Sequence, residues 1–464
     1  MRVKNQLQRD QLPKLLQAQP GLKAQDLVAK LGVSQPTISR MLRELGDQVL
    51  AVGRGPSRCY YWRRSLRGVP GRFPVYAVDR DGRAGHVGQL DLAWPDGSVL
   101  DVQAMGWPVD EEYRRGFWPG LPYPLQDMRP QGFLGRSFAR LVAADLGVST
   151  NPTEWGDDDA LHILTRRGAD TSGNLIVGDV ALQQWLDSKG SRPPALQESE
   201  LVQAYADLAD KASALGGAGS SAGGEFPKFT ARRESPSGKD GTPHVIVKFS
   251  GERDAGAAGG AVSRWADLLV CEHLGLEHAR LLGVAAARSR VLEVGTRVML
   301  EVERFDRHGE WGRSPLCSLS SVDDAMIGQA TQNWADLAQR LLALKLIDAE
   351  CVGLIQRIWW YGQLIGNSDM HKGNLSFVPG TRLELAPVYD MLPMMYAPMG
   401  GGELPRLQYE VRLPKPQERE AWMVACSAAL AFWEAAASYN GISKDMKGIC
   451  AENLLRLSSA KELA

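Results

Sequence analysis

Closely spaced pairs of cysteines are absent from this sequence. Its six cysteines lie far apart, and no two of them have the Cys-x-x-Cys spacing that is typical of zinc and redox sites. This excludes a zinc or dithiol centre built on such a pair, so we expect buried, reduced thiols. The cysteines are Cys59, Cys271, Cys317, Cys351, Cys426 and Cys450.

Long apolar runs are also scarce. The opening MRVKNQLQRDQLPK has no apolar core like that of a signal peptide, and the most apolar later stretch, residues 351–366, is short and contains Arg357. We therefore expect a cytoplasmic protein without a membrane partner. The 464 residues, 44% of them hydrophobic and 23% charged, are enough for about two to four packed domains.

An overall excess of charge is missing, since 53 Lys and Arg face 54 Asp and Glu, but the balance is uneven along the chain. Residues 1–68 hold 13 Lys and Arg against 4 Asp and Glu, a net charge of +9, which leaves −10 for the remainder. A basic segment at the start of an acidic chain indicates binding to a polyanion.

Within residues 21–47, apolar residues recur at helical spacing in two short blocks, which Gly32 and Val33 separate. Ser34 is able to cap the second block, and Pro36 is tolerated in its first turn. The pattern predicts a helix-turn-helix motif. The early turns of its second helix carry the predicted contacts with double-stranded DNA, which are Gln35, Thr37, Ser39 and Arg40.

The next stretch, VLAVGRGPSRCYYWRR, has two apolar-rich runs around a Gly-Arg-Gly-Pro turn. This predicts a β-hairpin wing that carries Arg54 and Arg58, and hence a winged-helix DNA-binding domain over residues 1–68. A small helical domain with a merely solvated basic face is the alternative. Helix-turn-helix proteins commonly dimerise on paired half-sites, so a homodimer on DNA is one expectation.

Residues 69–190 form the next predicted domain, with small strands, turns and a helix at 137–146, but no chemistry can be read from them. A connector at 191–200 leads to a helix at 201–214 and then to LGGAGSSAGGEFPKF, residues 215–229. The backbone N–H groups of such a glycine-rich loop could approach phosphate oxygens closely. Taken alone, such a stretch is more often a linker.

The segment after this loop has the order strand, helix, strand. TPHVIVKFS, residues 242–250, is an apolar strand that ends in Lys248, where kinases have the lysine that reaches nucleotide phosphates. A helix at 262–276 precedes the strand RVMLEVERFDR, residues 297–307. In kinase lobes the end of this strand meets the adenine edge, so Glu303 and Phe305 are candidates for base contact, although an ordinary strand end is the alternative.

The most informative residues follow a long apolar helix, in IGNSDMHKGNLSFV (365–378) and LELAPVYDMLP (383–393). We expect two strands there to carry Asp369, Asn374 and Asp390. Phosphoryl transfer needs a carboxylate at the attacking hydroxyl, and an amide and a second carboxylate that hold magnesium. These three residues supply those groups in that order, with His371 holding the loop together. Turn formation alone is the competing interpretation.

These motifs together resemble the HipA family of bacterial serine/threonine kinases, toxins of toxin–antitoxin modules, over residues 69–450. SSAGGEFPK is similar to the family's phosphate loop, VIVK to its nucleotide lysine, VERFDR to its hinge, and GNSDMHKGNLSF with PVYDMLP to its active site. The winged helix in front of the kinase resembles the stand-alone, YjjJ-type subgroup.

The resemblance implies an α+β, two-lobed kinase-like fold with a mostly helical C-lobe, and ATP and Mg²⁺ as cofactors. It implies Asp369 as catalytic base, Asn374 and Asp390 as metal ligands, and a protein serine or threonine as acceptor. The phosphate loop would bind nucleotide and could be autophosphorylated on one of its two serines; its residues in question are Ser220, Ser221, Gly223 and Gly224.

Two departures from the family pattern stand out. The family usually has Asp-x-His-x-Lys-Asn, whereas here Lys372 precedes Gly373, so a lysine contact near the transferred phosphate is shifted or absent. The helix after Lys248 also has no clear glutamate partner for it, with Asp267 and Glu272 both open.

We therefore expect four domains: DNA-binding at 1–68, a family-specific subdomain at 69–190, the kinase N-lobe at 191–310, and the C-lobe at 311–464. The leading hypothesis is a growth-inhibiting protein kinase that is tethered to DNA. The rivals are a DNA-binding regulator with a nucleotide-sensing pseudokinase domain, and a kinase that acts on a lipid or a small molecule.

Overall fold

The computed structural model describes residues 2–216, 225–235, 241–253, 260–405 and 407–464. Helices pack with sheets whose strands all pair antiparallel, which is the α+β class expected from the sequence. Four regions follow one another along the chain, and the third and fourth meet at the cleft that holds the predicted site.

The first region consists of three helices and a small sheet of order β1-β3-β2. Leu12, Leu27 and Ile38, one from each helix, are fully buried and form its core. The two helices and the hairpin predicted from the sequence are present, whereas the preceding helix was not predicted. Its elements are α1 (Arg2–Ala18), β1 (Leu22–Lys23), α2 (Ala24–Leu31), α3 (Gln35–Leu45), β2 (Val49–Val52) and β3 (Cys59–Trp62).

The second region has a five-stranded antiparallel sheet of order β10-β6-β7-β8-β9 and four helices. Helix α5 begins at Gly132, five residues earlier than expected. The elements are β4 (Ser65–Leu66), β5 (Val69–Pro70), β6 (Arg72–Val78), β7 (Ala84–Ala93), β8 (Gly97–Val99), β9 (Phe117–Trp118), α4 (Tyr123–Gln126), α5 (Gly132–Leu146), α6 (Asp157–Arg167), β10 (Leu175–Val177) and α7 (Asp179–Ser191).

The third region is a four-stranded antiparallel sheet of order β11-β12-β14-β13 with two helices. Residues alternate across strand β12, so Val245, Val247 and Phe249 face the core that contains Tyr205, and Lys248 faces the other way. The elements are α8 (Leu201–Gly216), β11 (Lys228–Arg232), β12 (His244–Phe249), α9 (Ala261–Ala279), β13 (Ser289–Val294) and β14 (Arg297–Glu303).

The fourth region is mainly helical and contains a small sheet of order β17-β18-β19. A two-stranded hairpin, β15 and β16, leads into it. The elements are β15 (Arg307–His308), β16 (Gly312–Arg313), β17 (Cys317–Ser318), α10 (Leu319–Met326), α11 (Trp334–Ala343), α12 (Ala349–Leu364), β18 (Ser376–Pro379), β19 (Leu383–Leu385), α13 (Arg419–Ser438) and α14 (Lys444–Leu463).

Within the described residues, one helical segment, Pro416–Ser438, is long and apolar enough to cross a membrane by length and composition alone. Trp422, Phe432 and Trp433 on this segment are fully buried, and Trp433 Nε1 donates to Leu364 O at 3.0 Å. Packing against the other helices therefore accounts for its apolar composition.

The third and fourth regions meet tightly beside helix α9. A Cβ atom at Gly275 would lie 2.1 Å from Met391 O, and Tyr361 Oη donates to Gly275 O at 2.9 Å. The backbone of Val388 also pairs with that of Ala285 and Ala287. The segment that carries Asp390 is therefore held against α9 with no room for a side chain between them.

Substitution of Gly275 by alanine tests this close approach. We expect Gly275→Ala to lower the free energy of unfolding by about 1–3 kcal/mol, because the methyl group must push the Met391 carbonyl away. Gly448→Ala on α14 is the matched control, since nothing lies within 4 Å of its Cβ position and alanine favours helix by up to about 1 kcal/mol. Urea unfolding measures both, and equal stability of the two variants would contradict the tight contact.

Candidate active site

Lys248 is the point at which three elements meet. Its Nζ donates to both carboxylate oxygens of Glu272, at 2.7 and 2.8 Å, and also to Asp390 Oδ1. Lys248 belongs to β12, Glu272 to α9, and Asp390 follows β19. The side chains of Lys248 and Glu272 are only 9% and 1% exposed. Charges this deeply buried are tolerated only when paired and hydrogen-bonded, as here.

Glu272 is thus the helix partner that the sequence left undecided between two residues. Asp267, the other candidate, accepts hydrogen bonds from the backbone N–H and the hydroxyl of Ser443 instead, at 2.8 and 2.6 Å. Both carboxylates lie on α9, and the rotation of that helix decides which one meets Lys248. Sequence spacing alone could not supply that rotation.

The charges around Lys248 shift one another's pKa. Burial raises the pKa of Asp390, but Lys248 and then Lys228 lower it, to about 2. Burial lowers the pKa of Lys248, but Asp390 and Glu272 raise it by more, so the net shift is upward. Burial raises the pKa of Glu272, although Lys248 lowers it, and the negative charge of Asp390 adds to the rise. Asp390 is therefore ionised at neutral pH.

A second lysine, which the sequence analysis did not single out, lies beside Lys248. Lys228 opens strand β11 directly opposite Lys248 in the antiparallel pair, so both side chains leave the same face of the sheet. The effect of Lys228 on the pKa of Asp390 places its charge at the same site. Its position at the end of SSAGGEFPK was a signal for it, but the register with Lys248 is visible only in the fold.

Asp369 and Asn374 lie in the connection between α12 and β18, and Asp390 lies beyond β19. The expectation that strands carry these residues is wrong. Asp369 and Asn374 lie in the segment before the β18–β19 hairpin, Asp390 lies in the segment after it, and the two segments come together. Asn367 makes this link: its Oδ1 accepts from Asp369 N at 3.0 Å, and its Nδ2 donates to Asp390 O at 3.1 Å. Sequence reasoning missed Asn367, although it lies in the quoted motif.

Side chains within the loop fix its conformation. Asn374 Nδ2 donates to Asp369 O at 2.8 Å, and His371 Nδ1 accepts from Gly373 N at 3.0 Å, which closes the 3-10 turn Lys372–Asn374. The latter contact is of the loop-holding kind expected of His371. The side chain of Asp369 is exposed. Partial desolvation nevertheless raises its pKa, His371 lowers it, and Asp390 raises it. The net shift is upward.

Asp390 has a backbone φ of +53°, a left-handed conformation that aspartate adopts more readily than most residues. Tyr389 holds the neighbouring backbone, because its hydroxyl donates to Gly373 O at 2.6 Å and shares a hydrogen bond with Ser376. The Tyr389 ring lies 5.7 Å from that of Phe305. Tyr389 therefore joins the loop, the Asp390 segment and the end of strand β14.

Asn374 and Asp390 fit a magnesium ion that also binds phosphate. Magnesium takes oxygen ligands, commonly one or two from protein and the others from phosphate and water. Because Asn374 commits its amide nitrogen to Asp369 O, its amide oxygen is the atom suited to a cation. Asp390 is ionised, and its side chain remains 34% exposed despite the bond to Lys248.

Comparisons with known proteins agree with this geometry. The profile of the family described as "YjjJ-like toxin, middle domain" matches residues 69–186, and that described as "HipA-like C-terminal domain" matches residues 220–457. Toxin YjjJ of Escherichia coli (strain K12) is 37% identical over 432 residues, which are 92% of this chain and 93% of that protein. The chain belongs to the HipA family. The family resemblance read from the sequence is confirmed.

A solved structure is similar as well. A chain in the complex of the Shewanella oneidensis MR-1 toxin–antitoxin system HipA, HipB and its operator DNA matches with a TM-score of 0.50 at 15% identity. The match covers 84% of this chain and 96% of that one. At this identity the likeness concerns the fold alone, and it supports a HipA-type fold for the present chain.

The shifted lysine of this HipA-family chain has a structural partner. Lys372 Nζ donates to Asp323 Oδ2 and, at 2.7 Å, to Gln329 O. Its side chain is 11% exposed and that of Asp323 is 1% exposed. The ammonium therefore binds α10 and the segment after it, so in this structure it ties the loop to another part of the fourth region.

The predicted base contacts occupy different positions. The Glu303 carboxylate accepts from Arg233 Nη2 at 2.9 Å, on the face of the sheet opposite Lys248, so only its backbone could meet a base in the cleft. Phe305 lies on the cleft side, against Tyr389. The phosphate-loop candidates, Ser220, Ser221, Gly223 and Gly224, lie outside the described residues.

The predicted DNA contacts are far along the chain from this site and lie on the surface of the first region. Gln35, Ser39 and Arg40 are exposed on α3, whereas Ile38 of the same helix is buried. Thr37 is half-buried, and its hydroxyl bonds that of Ser34, which occupies the N-cap position without bonding the helix backbone. The exposed turn between β2 and β3 carries Arg54 and Arg58, and Arg43 is a further exposed arginine on α3 that the sequence analysis omitted.

Substitution of Lys372 separates a structural from a phosphate-binding role. Lys372→Met leaves Asp323 buried without its partner, so we expect the free energy of unfolding to fall by about 3–5 kcal/mol while nucleotide affinity is kept. The double variant Lys372→Met/Asp323→Leu should recover most of the loss. Urea unfolding and nucleotide titration measure the two properties, and a stable Lys372→Met protein with weakened nucleotide binding would place Lys372 at the phosphates instead.

Proposed function

We propose that this protein is an ATP- and magnesium-dependent kinase that phosphorylates serine or threonine in a protein substrate, and that it inhibits growth. The observation that carries the proposal is the sharing of Lys248 by Glu272 and Asp390 beside the loop of Asp369 and Asn374. The name of the Escherichia coli relative, Toxin YjjJ, supports the growth-inhibiting part.

Each residue of the cluster has one role in this proposal. ATP with bound magnesium supplies the phosphoryl group. Lys248, with Lys228 beside it, balances the phosphate charges, and Asn374 with Asp390 holds the metal. Asp369 orients the acceptor hydroxyl and takes its proton as that oxygen bonds to the γ-phosphorus and the β–γ bridging bond breaks. A carboxylate with a raised pKa is a better proton acceptor for this step.

The remaining predicted contacts complete the nucleotide site. The backbone at Glu303 and the ring of Phe305 receive the adenine, and Ser220, Ser221, Gly223 and Gly224 bind the phosphates, as the family resemblance implies. In this assignment residues 191–310 form the N-lobe and 311–464 the C-lobe, after a subdomain at 69–190. We infer that the protein works in the cytoplasm, where ATP is available.

The kinase proposal predicts transfer of labelled γ-phosphate from ATP to the protein itself or to a lysate protein in the presence of magnesium. Asp369→Ala should lower the transfer rate by about 10²–10⁴-fold, because the proton acceptor is lost. Asp187→Ala on α7 is the matched control and should transfer at the wild-type rate. The Asp187 carboxylate is exposed and accepts a hydrogen bond from Gln183 of the same helix.

The outcome distinguishes the rivals. Nucleotide binding without any transfer by the wild-type protein would favour a nucleotide-sensing regulator, and the inward-turned Lys372 is the feature compatible with it. Label that enters lipid or a small molecule, but no protein, would change the substrate class.

We further propose that residues 1–68 form a winged-helix domain that binds double-stranded DNA and tethers the kinase to it, with a homodimer on paired half-sites. The charge of +9 and the exposed arginines of α3 and the β2–β3 turn support this. So does the presence of operator DNA in the solved complex of HipA fold. Tyr61 stacks on Phe117 at 4.4 Å and Arg64 pairs with Asp158 at 2.7 Å, so these residues join the proposed domain to the second region.

Arg40→Ala should weaken DNA binding and reduce the slope of log affinity against log salt by about 1, because one phosphate-facing charge is lost. Nucleotide affinity should not change. Arg166→Ala, an exposed arginine at the end of α6, is the control for a general loss of charge. Gel shifts at several salt concentrations measure the effect, and equal retention of both variants would remove Arg40 from the interface.

A further inference from the structure

Glu225 is the first described residue after the glycine-rich loop, and its carboxylate joins three groups. Oε1 accepts from Phe133 N at 2.9 Å and lies 2.9 Å from Lys228 Nζ. Oε2 accepts from Arg136 Nη2 at 2.9 Å. Phe133 and Arg136 belong to the first turns of helix α5, in the second region, whereas Lys228 belongs to the sheet of the third. The carboxylate therefore links two regions at the edge of the candidate site.

The Glu225 carboxylate substitutes for a missing helix cap. Gln131 occupies the N-cap position of α5 without a side-chain hydrogen bond, so Glu225 supplies an acceptor for the N-terminal N–H of Phe133. A negative charge is also favourable at this end of the helix dipole. Burial raises the pKa of Glu225, but Lys228 and the N–H of Phe133 lower it, and the net shift is downward. Glu225 is thus ionised and fixed by α5.

Lys228 gains its position from this arrangement. A lysine side chain is long and flexible, and fixing it in one orientation costs rotamer entropy. Glu225 holds the ammonium by an ion pair while Lys228 stands opposite Lys248. The ion pair is partly buried, with the two side chains 19% and 27% exposed, so water screens it less than a surface pair.

We propose that Glu225 is a positioning residue for ATP: anchored on helix α5 by Phe133 and Arg136, it holds Lys228 in place beside Lys248 for the nucleotide phosphates. The inference rests on the proposed nucleotide site and adds to it a residue of this chain that acts on the phosphates through Lys228. It makes the position of the phosphate-binding lysine dependent on a helix outside the two kinase lobes. Burial raises the pKa of Asp369, and Glu225 also raises it through its negative charge.

The kinetic consequence follows from when Lys228 acts. A lysine that balances phosphate charge does so both in the bound complex and in the transition state, so its misplacement weakens ATP binding without slowing the chemical step. Glu225→Gln keeps an acceptor for Phe133 N but removes the charge. We expect it to raise the KM for ATP roughly tenfold, with kcat within about twofold of wild type.

The decisive experiment is a double-substitution cycle on the affinity for a non-hydrolysable ATP analogue, AMPPNP, with magnesium, using the full chain. Glu225→Gln should weaken binding roughly tenfold in the wild-type background and leave it unchanged in the Lys228→Met background. Arg136→Met, which removes the ion pair between α5 and Glu225, should also weaken binding. Glu234→Gln, an exposed glutamate of the same region that accepts from Gln197, is the matched control.

Three results would overturn the inference. An equal loss of affinity in both backgrounds would mean that Glu225 affects binding by a route other than Lys228. Tighter binding by Glu225→Gln would mean that Glu225 competes with the nucleotide for Lys228, and unchanged binding would remove it from the site. Because the cycle measures binding, it stays informative if the wild-type protein binds AMPPNP but transfers no phosphate, a result that would contradict the kinase alone.

Discussion

The ammonium of Lys248, buried between two carboxylates, is the contact on which the site depends. A charge in that position is strongly destabilising without its partners, and one partner comes from α9 and the other from the segment after β19. Sheet, helix and C-terminal region therefore have to be assembled together for any of the three charges to be satisfied. Gly275 permits this assembly because it lets the Met391 backbone approach the helix directly. The pairing of the three charges and the packing of the third region against the fourth therefore depend on each other.

The second region is fastened to this core by ion pairs as well as by packing. Asp170 accepts from Arg307 Nη2 at 2.7 Å, and Asp306 accepts from Gly173 N at 3.0 Å. Burial raises the pKa of Asp306, but Arg304 and Arg307 lower it to about 2. Helix α5 has contacts at both ends: Arg67 donates to Leu146 O at 2.7 Å, and Glu225 binds its first turn. Helix α5 thus spans from Arg67, at the end of the basic N-terminal segment, to the edge of the candidate site.

Much of this architecture could be predicted locally. Apolar periodicity identified α2, α3, α8 and α9 as helices and β12 as a strand, because helix and strand periods differ in the sequence itself. Helix α1 was missed, since its polar residues and Pro13 obscure the periodicity. The placement of Asp369 and Asn374 on strands was wrong because motif spacing does not reveal a turn that is built by side-chain bonds, such as those of Asn367 and His371.

The sequence by itself determined the family, the α+β class and the residue types of the site, because a glycine-rich stretch, a strand lysine and an Asp-x-His-x-x-Asn motif are recognisable from local order alone. Only the tertiary structure decided which charges meet. Glu272 rather than Asp267 reaches Lys248 because of the rotation of α9, and Lys228 joins the site because of strand register. Lys372 turns to Asp323, 49 positions away. Such choices depend on distances between segments far apart in the chain, and local spacing carries no information about them.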